Sequence, residues 1–307
     1  MTERPRLIII SGPTCVGKTR TAIALAEPLA GEIISADAMQ VYRHMDIGTA
    51  KPTEQERDRV QHHLIDVVDP DESFSAARFK SIAEPLIGEL HEKGLPVFVV
   101  GGTGLYIKAI TQGLFRAPRT DEAIRKRLRA EAGASGSRVL HKRLQAVDPV
   151  AALNIHPNDA YRIIRALEIF EVTGKPLSEH HRAHGFSDNP YRTLKIGLLV
   201  DRNILYDRIN KRVDEMLASG LLEEVKGLLD KGYSPRLKSM RSIGYRHMTD
   251  HLQGKATWDE TIDLFKRDTR RYAKRQLTWF RTDPEIEWIK PSDVDVMRKK
   301  VVGFLTR

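Results

Sequence analysis

Eight residues near the start of the chain, Gly12-Pro13-Thr14-Cys15-Val16-Gly17-Lys18-Thr19, follow the pattern G-x-x-x-x-G-K-[ST]. Glycines at those positions let backbone N–H groups converge on phosphate oxygens, and a helix starting at the end of the loop adds a favourable dipole. Lys18 supplies a mobile cation, the Thr19 hydroxyl can ligate Mg²⁺, and Cys15 reads as a small filler residue rather than a nucleophile. The motif predicts a bound phosphate compound but not which compound, nor the reaction. Nucleotide hydrolases place a carboxylate directly after a second apolar strand. Here the best candidate strand, Val97–Val100, runs into Gly101-Gly102-Thr103-Gly104, and Asp66 in Leu64-Ile65-Asp66 is a weak substitute. That argues against hydrolysis of a nucleotide.

A second candidate is Asp37, at the head of the polar run Asp37-Ala38-Met39-Gln40-Val41-Tyr42-Arg43. It follows an apolar strand at the position where an open parallel sheet builds its ligand crevice. It serves either the ligand or a turn whose following backbone it caps. Lys51, in Gly48–Pro52, either approaches phosphate or is solvated.

Around these residues the chain alternates short apolar strands with helices. Strands are expected at Leu7–Ser11, Glu32–Ala36, Leu64–Val68 and Pro96–Val100, with helices at Gly17–Ala30, Ser75–Lys93 and from Thr103. The pattern predicts an α/β fold, a parallel sheet flanked by helices on both faces. From Asp121 to Thr173 only helical periodicity remains, broken at Gly133–Ser137 and Pro149, as in an inserted helical lobe. A strand returns at Leu194–Val200. Helices follow at Asn203–Ala218, Leu221–Lys231 and Thr257–Phe280, then a strand at Ile286–Ile289 and a helix at Val294–Leu305. The expected domains are thus a first core part at 1–115, a helical insertion at 116–192, and the rest of the core at 193–307.

The 307 residues carry 50 Lys and Arg against 41 Asp and Glu, a net charge of +9 that suits a polyanionic partner. The charge is clustered. Between Arg116 and Lys195 there are 15 basic and 9 acidic residues, and Lys266, Arg267, Arg270, Arg271, Lys274, Arg275 and Arg281 are opposed only by Asp268. Phe265, Tyr272 and Trp279 recur every seven residues on the same predicted helix and are expected to form its buried seam. One cysteine excludes an internal disulfide and a multi-cysteine zinc site. With no apolar run of about 18 residues and no signal peptide, a cytoplasmic protein away from the membrane is expected.

With these blocks in place, the sequence resembles the tRNA dimethylallyltransferases, isopentenyltransferases acting on tRNA adenosine. The resemblance runs through the phosphate loop, DAMQVYR at 37–43, GTAKP at 48–52, HHLID at 62–66 and VGGTGLY at 100–106. It continues through NDAYRIIRALE at 158–168, SIGYRHM at 242–248 and TRRYAKRQLTWFR at 269–281, in family order from about residue 7 to 290. The zinc-finger extension of eukaryotic members is missing, so the chain looks like the shorter bacterial form, and a monomer is expected. The resemblance implies a P-loop NTPase-like core. It also implies transfer of the dimethylallyl group from its diphosphate to N6 of the adenosine 3′ of the anticodon.

Several residues take roles by that resemblance. Asp37 matches the acidic residue that takes the amine's proton, while Thr14, Lys18 and Thr19 match positions on the diphosphate. Arg246 is expected to add positive charge near it. Contacts to the anticodon stem-loop are implied for Asp37, Ala38, Met39, Gln40 and Thr103. They are implied also for Arg125, Tyr161, Arg162, Ile163, Ile164 and Arg165, and for Ser242, Ile243, Gly244, Tyr245 and Arg246. Arg162, Arg165 and Glu168 are spaced so that they could equally form a salt-bridge strip along one helix. Ala38 stands where the family usually has Ser, which removes one hydroxyl donor. A P-loop kinase of a small metabolite or nucleotide is the runner-up, and a non-catalytic RNA-binding protein the third reading. The intact Gly17-Lys18-Thr19 speaks against the last.

Overall fold

The computed structural model describes residues 4–115, 121–186 and 188–306, which divide into two compact units, 1–111 with 189–307 and 112–188. The first unit is built on six parallel strands: β1 (Arg6–Ser11), β2 (Glu32–Ser35), β3 (His62–His63), β4 (Val97–Gly101), β5 (Arg192–Leu198) and β6 (Glu287–Ile289). Their order is β3-β2-β4-β1-β5-β6. Alternate residues of each strand face opposite sides. Leu7, Ile9, Val97 and Val99 therefore join one apolar cluster, and Ile8, Ile10, Phe98 and Ile196 join another. Both faces are buried, which is why β1 and β4 read as unbroken apolar runs rather than alternating ones.

The expected strand at Leu64–Val68 does not form. β3 ends at His63, and Leu64 and Asp66 adopt left-handed φ of 61° and 58°. The Asp66 carboxylate holds Lys51 and Arg57, which turns the chain out of the sheet, and Val67 and Val68 donate instead to Val41. The helix Tyr245–Leu252, which the sequence pattern did not predict, follows a run of turns.

The phosphate loop leaves β1 and enters the helix Lys18–Ala26. Two close approaches depend on glycine. A Cβ on Gly12, at φ 141°, would lie 2.8 Å from the Leu198 carbonyl oxygen, and one on Gly101 would lie 2.1 Å from that of Ala36. The second brings the ends of β4 and β2 together. Ala36 N–H donates to Val100 O, and Thr103 N–H donates to Ala36 O. Asp37 is thereby set beside the Gly101–Thr103 turn.

The helix Trp258–Phe280 starts with a capping box between Thr257 and Glu260. Its buried face is Thr261, Phe265, Ala273, Gln276 and Phe280. The expected aromatic seam is corrected accordingly: Tyr272 is half-buried and Trp279 is exposed. A seven-residue step falls about 20° short of whole turns of an α-helix, so the third aromatic has drifted off the stripe.

The second unit is helical, with helices at Glu122–Ser135, Ser137–Val147, Pro149–Asn154, Ala160–Thr173 and Leu177–His184. Its core holds Leu128, Leu140, Leu144, Ile163 and Leu167. Its bounds, 112–188, fall four residues before the 116–192 expected from sequence. Asp148 caps the helix that begins at Pro149, and the earlier break falls at Gly136. Among the described residues, no helix is long and apolar enough to cross a membrane.

Candidate active site

The loops that follow β1, β2 and β4 meet at one end of the sheet. In the phosphate loop, Gly12, Pro13 and Val16 are buried, whereas Thr14, Cys15, Gly17, Lys18 and Thr19 are partly exposed. Cys15 sits at a left-handed φ of 63°, and Gly17 at 107° leads into the helix. Lys18 Nζ donates to the carbonyl oxygens of Gly12 and Pro13 at 3.1 and 2.8 Å. Burial pushes the Lys18 ammonium down to about 8, opposed by the charges of Asp37 and Cys15 and assisted by Arg212. The field of Asp37 thus reaches Lys18.

Asp37 Oδ1 accepts the N–H groups of Met39 (2.8 Å) and Gln40 (3.3 Å), so the capped turn left open by the sequence exists. That turn uses one oxygen. The Ala38 N–H donates to Thr103 Oγ1 at 2.9 Å, which ties the Asp37 loop to the turn after β4. Tyr106 and Tyr272 both lie within the field of Asp37. Burial chiefly holds both phenols well above the ordinary tyrosine value; the charge of Asp37 adds next at Tyr272, and at Tyr106 it adds after that of Tyr42. Gln40 is committed to the protein: its amide donates to Ala50 O and accepts from Ser35 Oγ.

Other candidates take places the sequence did not foresee. The Lys51 side chain is 2 % exposed, bound by Asp46, Asp66 and the Tyr42 carbonyl, so it neither approaches phosphate nor meets solvent. Tyr245 is buried with its hydroxyl on Glu224, and Gly244 is buried beside it, so these two form core rather than an RNA-facing surface. Ile243 packs on the same core, and the Ser242 hydroxyl is buried without a partner. Arg246 is paired with Asp268, and the arginine whose charge acts on Lys18 is Arg212, which the motif reading missed.

Within the helical unit, Ile163 and Ile164 are core, not surface. Tyr161 and Arg162 are exposed. Arg125 and Arg165 flank the buried carboxylate of Glu168, each 2.9 Å from its Oε2. The salt-bridge strip suggested by spacing therefore exists between Arg165 and Glu168, while Arg162 pairs with Asp159.

Gln276 was also missed. It is 6 % exposed, on the buried stripe of the helix Trp258–Phe280. Its Oε1 accepts the Thr14 N–H at 2.8 Å, and its Nε2 donates to Gly102 O at 2.9 Å. A polar residue at an apolar position of the helical period was the available signal.

The arrangement offers a phosphate loop with a cation at its mouth, and a carboxylate beside it on a second loop. That suits activation of a phosphorylated leaving group together with removal of a proton from an incoming nucleophile. Comparison with known proteins points the same way. A family model described as IPP transferase matches residues 40–283. The chain is 58% identical to a tRNA dimethylallyltransferase of Desulfosudis oleivorans over 93% of its own length and 91% of that relative. It is 53% identical to one from Geobacter metallireducens over 98% of each chain. Among solved structures it is similar to a tRNA isopentenylpyrophosphate transferase of Bacillus halodurans, with 46% identity, TM-score 0.75, and 99% and 97% of the two chains covered. It also resembles a eukaryotic dimethylallyltransferase acting on tRNA, with 31% identity, TM-score 0.77, and 95% and 75% covered.

Proposed function

The chain belongs to the IPP transferase family, and from that premise we propose how its residues carry out prenyl transfer to tRNA. The enzyme transfers the dimethylallyl group of dimethylallyl diphosphate to N6 of the adenosine 3′ of the anticodon. The C1–O bond to diphosphate breaks, a C1–N6 bond forms, and one N6 proton leaves. The observation that carries the assignment of roles is the proximity of Asp37 to the phosphate loop, close enough that its charge acts on Lys18.

In this reading Lys18 neutralises the departing diphosphate, helped by loop amides and the start of the helix Lys18–Ala26. Thr14 contacts the same group. Asp37 accepts the amine proton on Oδ2 while Oδ1 keeps the turn. The hard oxygen donors here, the Thr19 hydroxyl and the diphosphate itself, fit Mg²⁺, which binds through few protein ligands plus substrate phosphates. When bound, that ion supplies further charge neutralisation of the leaving group. The target base must leave its stack to reach the carboxylate. Exposed Tyr161 and Arg162 and the cations of Lys266–Arg281 are the residues we assign to the RNA, in the cytoplasm. The test is mass analysis of tRNA nucleosides after incubation with allylic diphosphates of different chain length. A five-carbon addition to adenosine is expected, and adenosine left unmodified by every donor refutes the reading.

A further inference from the structure

We propose that Gln276 is a positioning residue that locks the leaving-group half of the site to the amine-accepting half; the inference rests on the transfer reaction above. Its amide spans two loops. Oε1 holds the Thr14 N–H of the phosphate loop at 2.8 Å, and Nε2 donates to Gly102 O at 2.9 Å. Gly102 precedes Thr103, whose hydroxyl accepts the N–H of Ala38, the neighbour of Asp37. A continuous path therefore runs from Thr14 through Gln276 and the β4 turn to the Asp37 loop. A Cβ on Gly102 would lie 2.2 Å from Nε2, so the contact requires glycine there.

The chemistry of the group fits this task. The two loops present an N–H and a C=O, and a neutral side-chain amide offers one acceptor and two donors on a single plane. A carboxylate would meet the N–H but repel the C=O, and an ammonium would do the reverse. On a stripe shared with Thr261, Phe265, Ala273 and Phe280, a buried amide carries a desolvation cost that only good hydrogen bonds offset. Tyr272, one turn earlier on the same helix, lies within the field of Asp37. The spacing between the two reacting halves is thus set from the helix that bears Lys266–Arg281.

The test compares Gln276→Met and Gln276→Glu with wild type under single turnover, with separate binding constants for tRNA and dimethylallyl diphosphate. Met keeps the volume and loses both hydrogen bonds. The transfer rate should fall about thirty- to hundredfold, since small misplacements cost that much, while both binding constants stay within about threefold. Glu keeps the acceptor but sets a carboxylate beside the Lys18 ammonium, which lies 3.6 Å from the same point on Gly102. Its diphosphate binding should weaken at least about tenfold as that charge competes for Lys18. A Met variant with a rate within about threefold of wild type overturns the proposal. So does a loss confined to the tRNA binding constant at a normal saturated rate. If the Met variant does not fold, wild-type rate and diphosphate affinity in Gln276→Glu overturn it. Wild-type enzyme that transfers nothing refutes the transfer reading itself, a separate outcome.

Discussion

In the proposed mechanism Asp37 adds a chemical duty on Oδ2 to the turn held by its Oδ1, and substitution can separate the two. Asp37→Asn keeps an oxygen for the Met39 and Gln40 amides, so the turn and the melting temperature should survive. The amide accepts no proton at neutral pH. Single-turnover transfer should therefore fall by about two to four orders of magnitude with binding of both substrates unchanged. A drop of less than about fivefold makes Asp37 scaffolding. Lys18 gives a second residue-scale expectation. Its ammonium titrates at about 8 because burial disfavours the charge, and the diphosphate binds the charged form. Diphosphate affinity should be flat below pH 8 and weaken above it, by up to about tenfold per pH unit. Titration calorimetry from pH 7 to 10 reads this directly, and a flat profile contradicts the burial argument.

At the scale of elements, the buried Glu168 organises the helical unit. Burial alone would raise its carboxyl, but Arg165 and Arg125 outweigh that and hold it below the ordinary 4.5. A depressed carboxyl contributes stability that is present above its unfolded value and lost as pH falls through the folded one. The unit should thus weaken on acidification below about pH 4.5. Glu168→Gln should cost about 3 kcal/mol by leaving two arginines beside a neutral group, measured by denaturant unfolding; a change under about 1 kcal/mol contradicts it. The sheet, the phosphate loop and the helical stretch were legible because local signals agreed: apolar runs at β1 and β4, glycine punctuation, and 3.6-residue periodicity. The strand expected at Leu64–Val68 was misread because the turn depends on Asp66 meeting Lys51 and Arg57. Tyr245 was expected among the RNA contacts through the resemblance of its block, yet its hydroxyl donates inward to Glu224, 21 residues earlier. Gln276 escaped notice for the same reason, since its partners lie 262 and 174 residues away. Local pattern finds elements; contacts between distant segments decide which residues enter the site.

At the scale of the whole molecule, a net charge of +9 confronts a polyanion. With a handful of RNA phosphates neutralised, the log–log dependence of tRNA affinity on salt should have a slope of about −3 or steeper. Near salt-independent binding contradicts the role given to Lys266–Arg281. The central claim is that the phosphate loop serves the diphosphate while other surfaces hold the RNA. Lys18→Ala tests it most directly, by comparing single-turnover prenyl transfer with tRNA binding in the same preparation. Loss of charge stabilisation worth about 3 to 4 kcal/mol predicts a rate lower by about a hundred- to a thousandfold, with tRNA affinity within about threefold of wild type. Near-normal transfer by the variant, or tRNA binding lost in step with the rate, would contradict the account.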